Sequence, residues 1–441
     1  MTASNTTALS LSVILLIVTV LMLRSGRRAF LICLPHNVAW IIALLIVSSG
    51  LMNYGPTSAN AWLLIILAIT AFNVGIFILA PDKNTADRTT SSAFISLRLY
   101  QGLLSLFALG VLVYLKAMSD HFGPLGLFTR PNAIRAATNP SYLEFFPLYG
   151  KVLFYLGPLC LVLTLFPKFV IGLQDRPRWA RLGTAAAIVL LQALSLQRTN
   201  IFAGLVWAIG ISLLEWRSGS ASRSRADVRR ITGRLVAVGA VGLVAFQGIA
   251  VFIGKTGLEN PAVTSAVSPA LVHSPFLGLL HYTSSGLPAF GRLVESKDGS
   301  WPSGEYYGEN NPQTWGLATF SGPLKLVPEI RHWNEVSPFV RLPVPTNVFT
   351  SLEPWYRDFR WPGILLGPLA VGVALGLLAR RGAASPRALL MAGLFLGLTC
   401  FTTFINFYLT VSSLVLYASI FLLGRDWYWF SGSRIRGKIT A

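Results

Sequence analysis

Acidic residues are scarce in this sequence: 17 Asp and Glu stand against 36 Lys and Arg in 441 positions. Charged residues of both signs make up only 12% of the chain, where a soluble domain carries about 25%. That shortage excludes an ordinary water-soluble domain. With 53% hydrophobic residues and a mean hydropathy of +0.60, it points to an integral membrane protein. Cysteine is nearly missing. Cys33, Cys160 and Cys400 lie in or beside apolar runs without a CxxC pair, so they read as small buried hydrophobes and not as a disulfide framework. HExxH, GxSxG and clustered metal ligands are absent, so no metal is expected. An Asp-x-Asp pair is absent too, which argues against an enzyme that uses a metal–nucleotide sugar in the cytoplasm. Gly254-Lys255-Thr256 resembles the end of a nucleotide-binding loop, but Ile249 stands where that loop needs glycine. No cofactor is expected. There is no internal repeat and no charge at mid-span, which argues against a transporter of lipid-linked sugars.

The net charge of +19 and pI near 10.3 raise the question of nucleic acid. The basic residues sit mostly in short gaps between apolar runs, where membrane orientation is encoded, so nucleic acid is discounted. A span needs roughly 20 apolar residues. About eleven candidates lie near 8–23, 35–54, 60–80, 94–115, 150–172, 182–197, 199–215, 234–254, 362–379, 387–406 and 408–424. The first is followed, not preceded, by basic residues, so it reads as a retained span. With eleven spans, six basic gaps share one side: those after Leu23, after Ala80, at Arg176–Arg181, at Arg217–Arg234, at Arg380–Arg387 and after Gly424. The positive-inside rule makes that side cytoplasmic.

The expected fold is thus an all-α, polytopic bundle. Residues 1–254 form spans one to eight, 255–361 a long outer loop or cap, 362–424 spans nine to eleven, and 425–441 a cytoplasmic tail. A loop of that length is usually functional. It is rich in Pro, Gly, Ser and Asn, so short helices and turns are expected within it.

Two stretches carry candidate chemistry. Gln197-Arg198-Thr199-Asn200 joins spans six and seven, and no acid lies within ten residues of Arg198. Thr199 and Asn200 are good N-caps for span seven. An arginine beside a helix N-terminus makes an anion site suited to phosphate; the alternative is an arginine snorkelling to headgroups. The second stretch, Thr346 to Gly363, sets Glu353, Arg357, Asp358 and Arg360 among aromatics, just before span nine. Its aromatics alone would suit an interfacial belt. Its charges suit a site at the membrane surface, with Arg357 and Arg360 joining Arg198 on one polyanion. The available acids and bases for catalysis are Asp358, Glu353, His281 and His273, with Glu305 further along the loop. Asn347, Trp355, Tyr356, Tyr306 and Tyr307 suit a sugar.

These motifs resemble the oligosaccharide repeat-unit polymerases, the Wzy-type O-antigen and capsule polymerases. In that family a mid-chain hairpin carries Arg-Thr, here Arg198-Thr199. A later motif reads T-N-x-[YF]-T, an aromatic, then D-F-G. Thr346, Asn347, Phe349, Thr350, Tyr356, Asp358 and Phe359 match it, and Arg360 stands in place of the glycine. The resemblance implies a GT-C-like fold in the bacterial inner membrane, with the active site on the periplasmic face. It implies transfer of a growing glycan from undecaprenyl pyrophosphate to the non-reducing end of a new lipid-linked unit, without nucleotide sugar or metal. The implied partners are the undecaprenyl-pyrophosphate-linked oligosaccharide, membrane lipids, a flippase and a chain-length regulator. An O-antigen ligase, transferring to lipid A core, is the nearest alternative.

Overall fold

A computed structural model describes residues 3–24, 30–79, 95–124, 126–129, 146–194, 198–218, 267–272, 276–295, 314–324, 340–342, 345–382 and 385–423, with isolated residues between and around them. The apolar runs fold as helices. They are α1 (Ala3–Arg24), α2 (Phe30–Ser48), α3 (Ala59–Leu79), α4 (Leu97–Phe122), α5 (Leu148–Phe154), α6 (Gly157–Leu165), α7 (Arg178–Ala193) and α8 (Arg198–Ser218). After the long loop come α11 (Leu352–Gly382), α12 (Pro386–Leu398) and α13 (Val411–Leu423). Among the described residues, six helical stretches are long and apolar enough to cross a membrane: α1, most of α2, α3, α4, the pair α5–α6, and α11. Shorter apolar helices lie at Asn200–Glu215, Pro386–Phe401 and Val411–Leu423. The described residues are predominantly helical, and the chain is a multi-pass membrane protein.

Small residues set how the helices meet. A side chain at Gly75 would strike the backbone of Leu369 and Val373, and one at Gly372 the backbone of Phe72. Phe72 opposite Gly372 and Ile76 opposite Gly376 mean that α3 and the second half of α11 run parallel, with their N-termini at the same end. Gly210 meets Gly393, and Gly397 meets Val206, so α8 and α12 are antiparallel, and the start of α8 lies at the end where α12 finishes. Both directions agree with the alternation read from the basic gaps.

A polar network ties α1, α2 and α3. Asn37 donates to the Thr19 hydroxyl at 3.1 Å and accepts from the Asn73 amide at 3.1 Å. His36 accepts from the Trp40 indole at 3.0 Å and stacks on Phe72. Buried polar groups inside a span need such partners.

Four expected boundaries are corrected. The span at 150–172 is broken: Gly157 and Pro158 open a second helix, which ends at Leu165 before a 3-10 turn. The span at 94–115 runs on to Phe122, so Asp120 and His121 belong to its last turn and not to a loop. The junction expected at 406–408 is an unwound segment: α12 gives way to a 3-10 turn at Thr399 and α13 starts at Val411. There the hydroxyls of Thr399 and Thr402 bond back to carbonyls three residues earlier, which competes with helical pairing. Finally, Thr199 and Asn200 are not caps. The helix opens at Arg198 and carries both within its first turn.

The long loop holds α9 (Leu277–Ser284), α10 (Gly286–Glu295), single turns at 269–272 and 321–324, and the two-residue ladder β1 (Val340–Arg341) with β2 (Pro345–Thr346). These elements dock on the ends of the spans. Ser268 donates to Leu51 O, and Ser58 N–H to Glu295. Gly286 lies against Thr403 and Phe349, and Gly322 against Leu409.

Candidate functional site

The Thr346–Gly363 stretch is built by its own hydroxyls. Thr346 accepts from Val348 N–H at 3.1 Å, and Thr350 accepts from Leu352 N–H at 3.4 Å. Each threonine fixes the backbone two residues ahead, as such residues do in turns. Ser351 N–H donates to Thr402 O at 2.8 Å, which pins the stretch to the unwound segment after α12. Phe349 is buried in the apolar cluster with Leu352, Leu277 and Phe290. Among the motif residues ahead of α11, the threonines and the phenylalanine are thus spent on structure, and Asn347 remains half-exposed.

Within α11 the backbone breaks at Arg360, where φ is 54° and ψ is −142°. This region of the map is essentially reserved for glycine. The break folds Leu352–Phe359 back along the following helix. Gly363 and Gly367 lie against the Trp355 carbonyl and ring, where a Cβ would not fit. Pro362 then stands in the first turn after the break, where its missing N–H costs little. Trp355 is thereby packed on its own helix. Tyr356 packs edge-on against Phe290 at 5.8 Å, and the Arg360 guanidinium lies 5.5 Å from the Tyr356 ring centre.

The charged groups of the stretch divide into two sets. Glu353 and Arg357 form a buried pair at 3.0 Å, one helical turn apart. Asp358 is fully buried. It accepts from Thr319 N–H at 2.6 Å, from Ala318 N–H at 3.2 Å and from the Thr314 hydroxyl. The carboxylate thus clamps the turn 314–319 onto α11. That turn presents Trp315, 76% exposed and at φ 49°, with Gly316 packed against Phe359. Of the two arginines in this stretch, Arg360 has no carboxylate within ion-pair reach among the described residues.

His281, expected from the sequence as a candidate base, lies on α9. Its Nδ1 is 3.3 Å from the Tyr54 hydroxyl in the α2–α3 loop. Burial pushes its pKa down to about 4, so the imidazole is neutral at physiological pH. Tyr54 and Ser284, missed from the sequence, lie 2.8 Å apart beside it. Nothing in the local pattern marks Tyr54, which is 227 positions away from His281. Burial raises the Tyr54 pKa above the usual tyrosine range. The same apolar cluster holds Tyr54, Phe290 on α10 and Phe349, with Tyr356 packed on it, so the His281 element and the Thr346–Gly363 stretch share one packed end of the bundle.

His273, Tyr306, Tyr307 and Glu305 lie outside the described residues, as do the side chains of Arg198 and Thr199. The Asn200 side chain is buried within the first turn of α8. No group of three or more His, Cys, Asp or Glu able to hold a metal occurs among the described residues. No family model, curated protein or solved structure matches the chain.

Proposed function

We propose that the chain is a membrane glycosyltransferase that polymerises lipid-linked oligosaccharide repeat units. It works with an eleven-span, GT-C-like bundle in a bacterial inner membrane, its site on the periplasmic face. The donor is a glycan on undecaprenyl pyrophosphate and the acceptor is the non-reducing sugar of a new lipid-linked unit. The acceptor oxygen bonds to the donor's anomeric carbon while the bond from that carbon to the pyrophosphate oxygen breaks. The electron pair leaves with the lipid pyrophosphate, and the acceptor hydroxyl proton passes to a base.

One observation carries the reading: Arg360 occupies a backbone conformation that costs a non-glycine residue of order 1–3 kcal/mol. A side chain kept at that cost suits a ligand, and a guanidinium at the start of a helix suits phosphate. Arg198, which opens α8, supplies the second cation in this reading. Arg357 is engaged by Glu353, and so supports the turn rather than the anion. Charge stabilisation of the leaving pyrophosphate then does most of the catalytic work. Trp315 and Tyr356, with Asn347, offer faces and a polar group for sugars. A flippase would supply the lipid-linked units, and a chain-length regulator would act on the product.

The test is Arg360→Gly. Relief of the backbone should raise thermal stability by about 1–2 kcal/mol, while polymer falls to single repeat units on a glycan ladder from a deletion strain. Normal polymer from this variant would take Arg360 out of the site, and a deletion strain that still makes full-length polymer would overturn the reading itself. The same ladder separates the ligase alternative: a deletion strain with no glycan at all on the lipid A core points to ligation.

A further inference from the structure

Three hydroxyl and imidazole groups from two distant segments form a chain whose proton directions can be assigned. The Ser284 hydroxyl donates its single proton to Leu280 O at 2.7 Å. Ser284 therefore accepts in its 2.8 Å contact with Tyr54, and the Tyr54 proton points to Ser284. The Met52 sulfur, 3.0 Å from the Tyr54 hydroxyl, is a second and weaker acceptor for that same proton. On either count Tyr54 has no proton left for His281. The 3.3 Å contact to Nδ1 is then a hydrogen bond only if Nδ1 carries the proton and Tyr54 accepts it.

We propose that Ser284 and Tyr54 form a relay that holds His281 as its Nδ1–H tautomer, leaving Nε2 as the proton-accepting atom of the site. Tyr54 and Ser284 are positioning residues, since each spends its single proton within the relay and acts on the acceptor only through His281. The role of Nε2 rests on the glycan-transfer reading: Nε2 takes the acceptor hydroxyl proton as the new glycosidic bond forms, and returns it to solvent after the lipid pyrophosphate departs. The relay itself does not rest on that reading. Its three members come from the α2–α3 loop and from α9, so it exists only when the long loop is docked on the spans. The site's base is therefore assembled by that docking.

The experiment is nitrogen-15 NMR of histidine-labelled full-length protein in lipid nanodiscs at neutral pH. The His281 signals are identified by their loss in His281→Gln. Wild-type protein should show a protonated Nδ1 and a bare Nε2. Ser284→Ala should move the proton to Nε2, because the Tyr54 proton then goes to Nδ1, a stronger acceptor than the Met52 thioether that remains. Tyr54→Phe should also lose the Nδ1–H preference. A wild-type ring protonated on Nε2, or a Ser284→Ala ring still protonated on Nδ1, overturns the relay. In a polymerisation assay with lipid-linked repeat units, Ser284→Ala should lose about 100-fold in rate, the lower range for removal of a general base. A flipped tautomer with an unchanged rate overturns the role of Nε2. If wild-type protein makes no polymer at all, the glycan-transfer reading fails, while the NMR result still decides the relay.

Discussion

At the scale of single residues, Asp358 shows how a charge that reads as catalytic can be spent on architecture. Its two oxygens hold two backbone N–H groups and one hydroxyl from the turn 314–319. Asp358→Asn keeps the shape but offers one oxygen, and turns an NH2 toward a buried donor. Leaving such a donor unsatisfied costs roughly 1–3 kcal/mol. The expected outcome is a lower unfolding midpoint and faster proteolytic cleavage around residues 314–324, with polymer reduced only as far as folded protein is reduced. Wild-type stability with no polymer would instead return Asp358 to the role of base. The D-F-G-like motif was legible as a motif because its residues are contiguous. The job of its aspartate was not, because the donors lie about forty positions upstream in a segment without periodicity. Arg360 is the converse. The sequence showed only a departure from glycine, and the backbone at φ 54° gives the physical reason glycine is expected there.

At the scale of elements, long apolar runs were legible because span length is a strong signal, whereas breaks within them were not. Gly157-Pro158 and the threonines at 399–403 interrupt helices whose hydropathy continues unbroken. Hydropathy averages over a window and does not register a lost backbone hydrogen bond. The two apolar runs on either side of Gln197 were legible, but α8 already carries Thr199 and Asn200, and the connecting residues 195–197 lie outside the described ones. Packing between spans depends on single glycines that no pattern in one helix reveals. The α3–α11 seam tests this. Gly372→Leu puts a side chain into the Phe72 backbone and should destabilise the protein by about 1–3 kcal/mol or more in a detergent unfolding assay. Gly102→Ala, at a helical position with open space around it, should be neutral or stabilise by about 0.5–1 kcal/mol. Equal effects from the two variants would mean that the seam does not hold these helices.

At the scale of the whole molecule, the question is whether α8 and the Thr346–Gly363 stretch serve one ligand. Two contacts bear on it. The antiparallel packing of α8 on α12 puts the N-terminus of α8 at the end where α12 finishes. The unwound segment that follows α12 then accepts from Ser351 N–H, one residue before α11 begins. Arg198 and Arg360 therefore open helices at one end of the bundle, with the docked loop elements over it. If both hold the same pyrophosphate, their contributions must be coupled, because losing one arginine lets the anion shift or leave the other. The measurement is the rise in unfolding temperature caused by undecaprenyl pyrophosphate in nanodiscs, read for wild type, Arg198→Ala, Arg360→Gly and the double variant. A shared site predicts a large ligand-induced rise in wild type and little in either single variant. The double variant should be no worse than the singles, with a coupling of about 0.5–3 kcal/mol. Strictly additive losses would mean two independent anions. A full ligand-induced rise in Arg198→Ala would leave that arginine to the headgroups, and the transfer site would then rest on Arg360 and the docked loop alone.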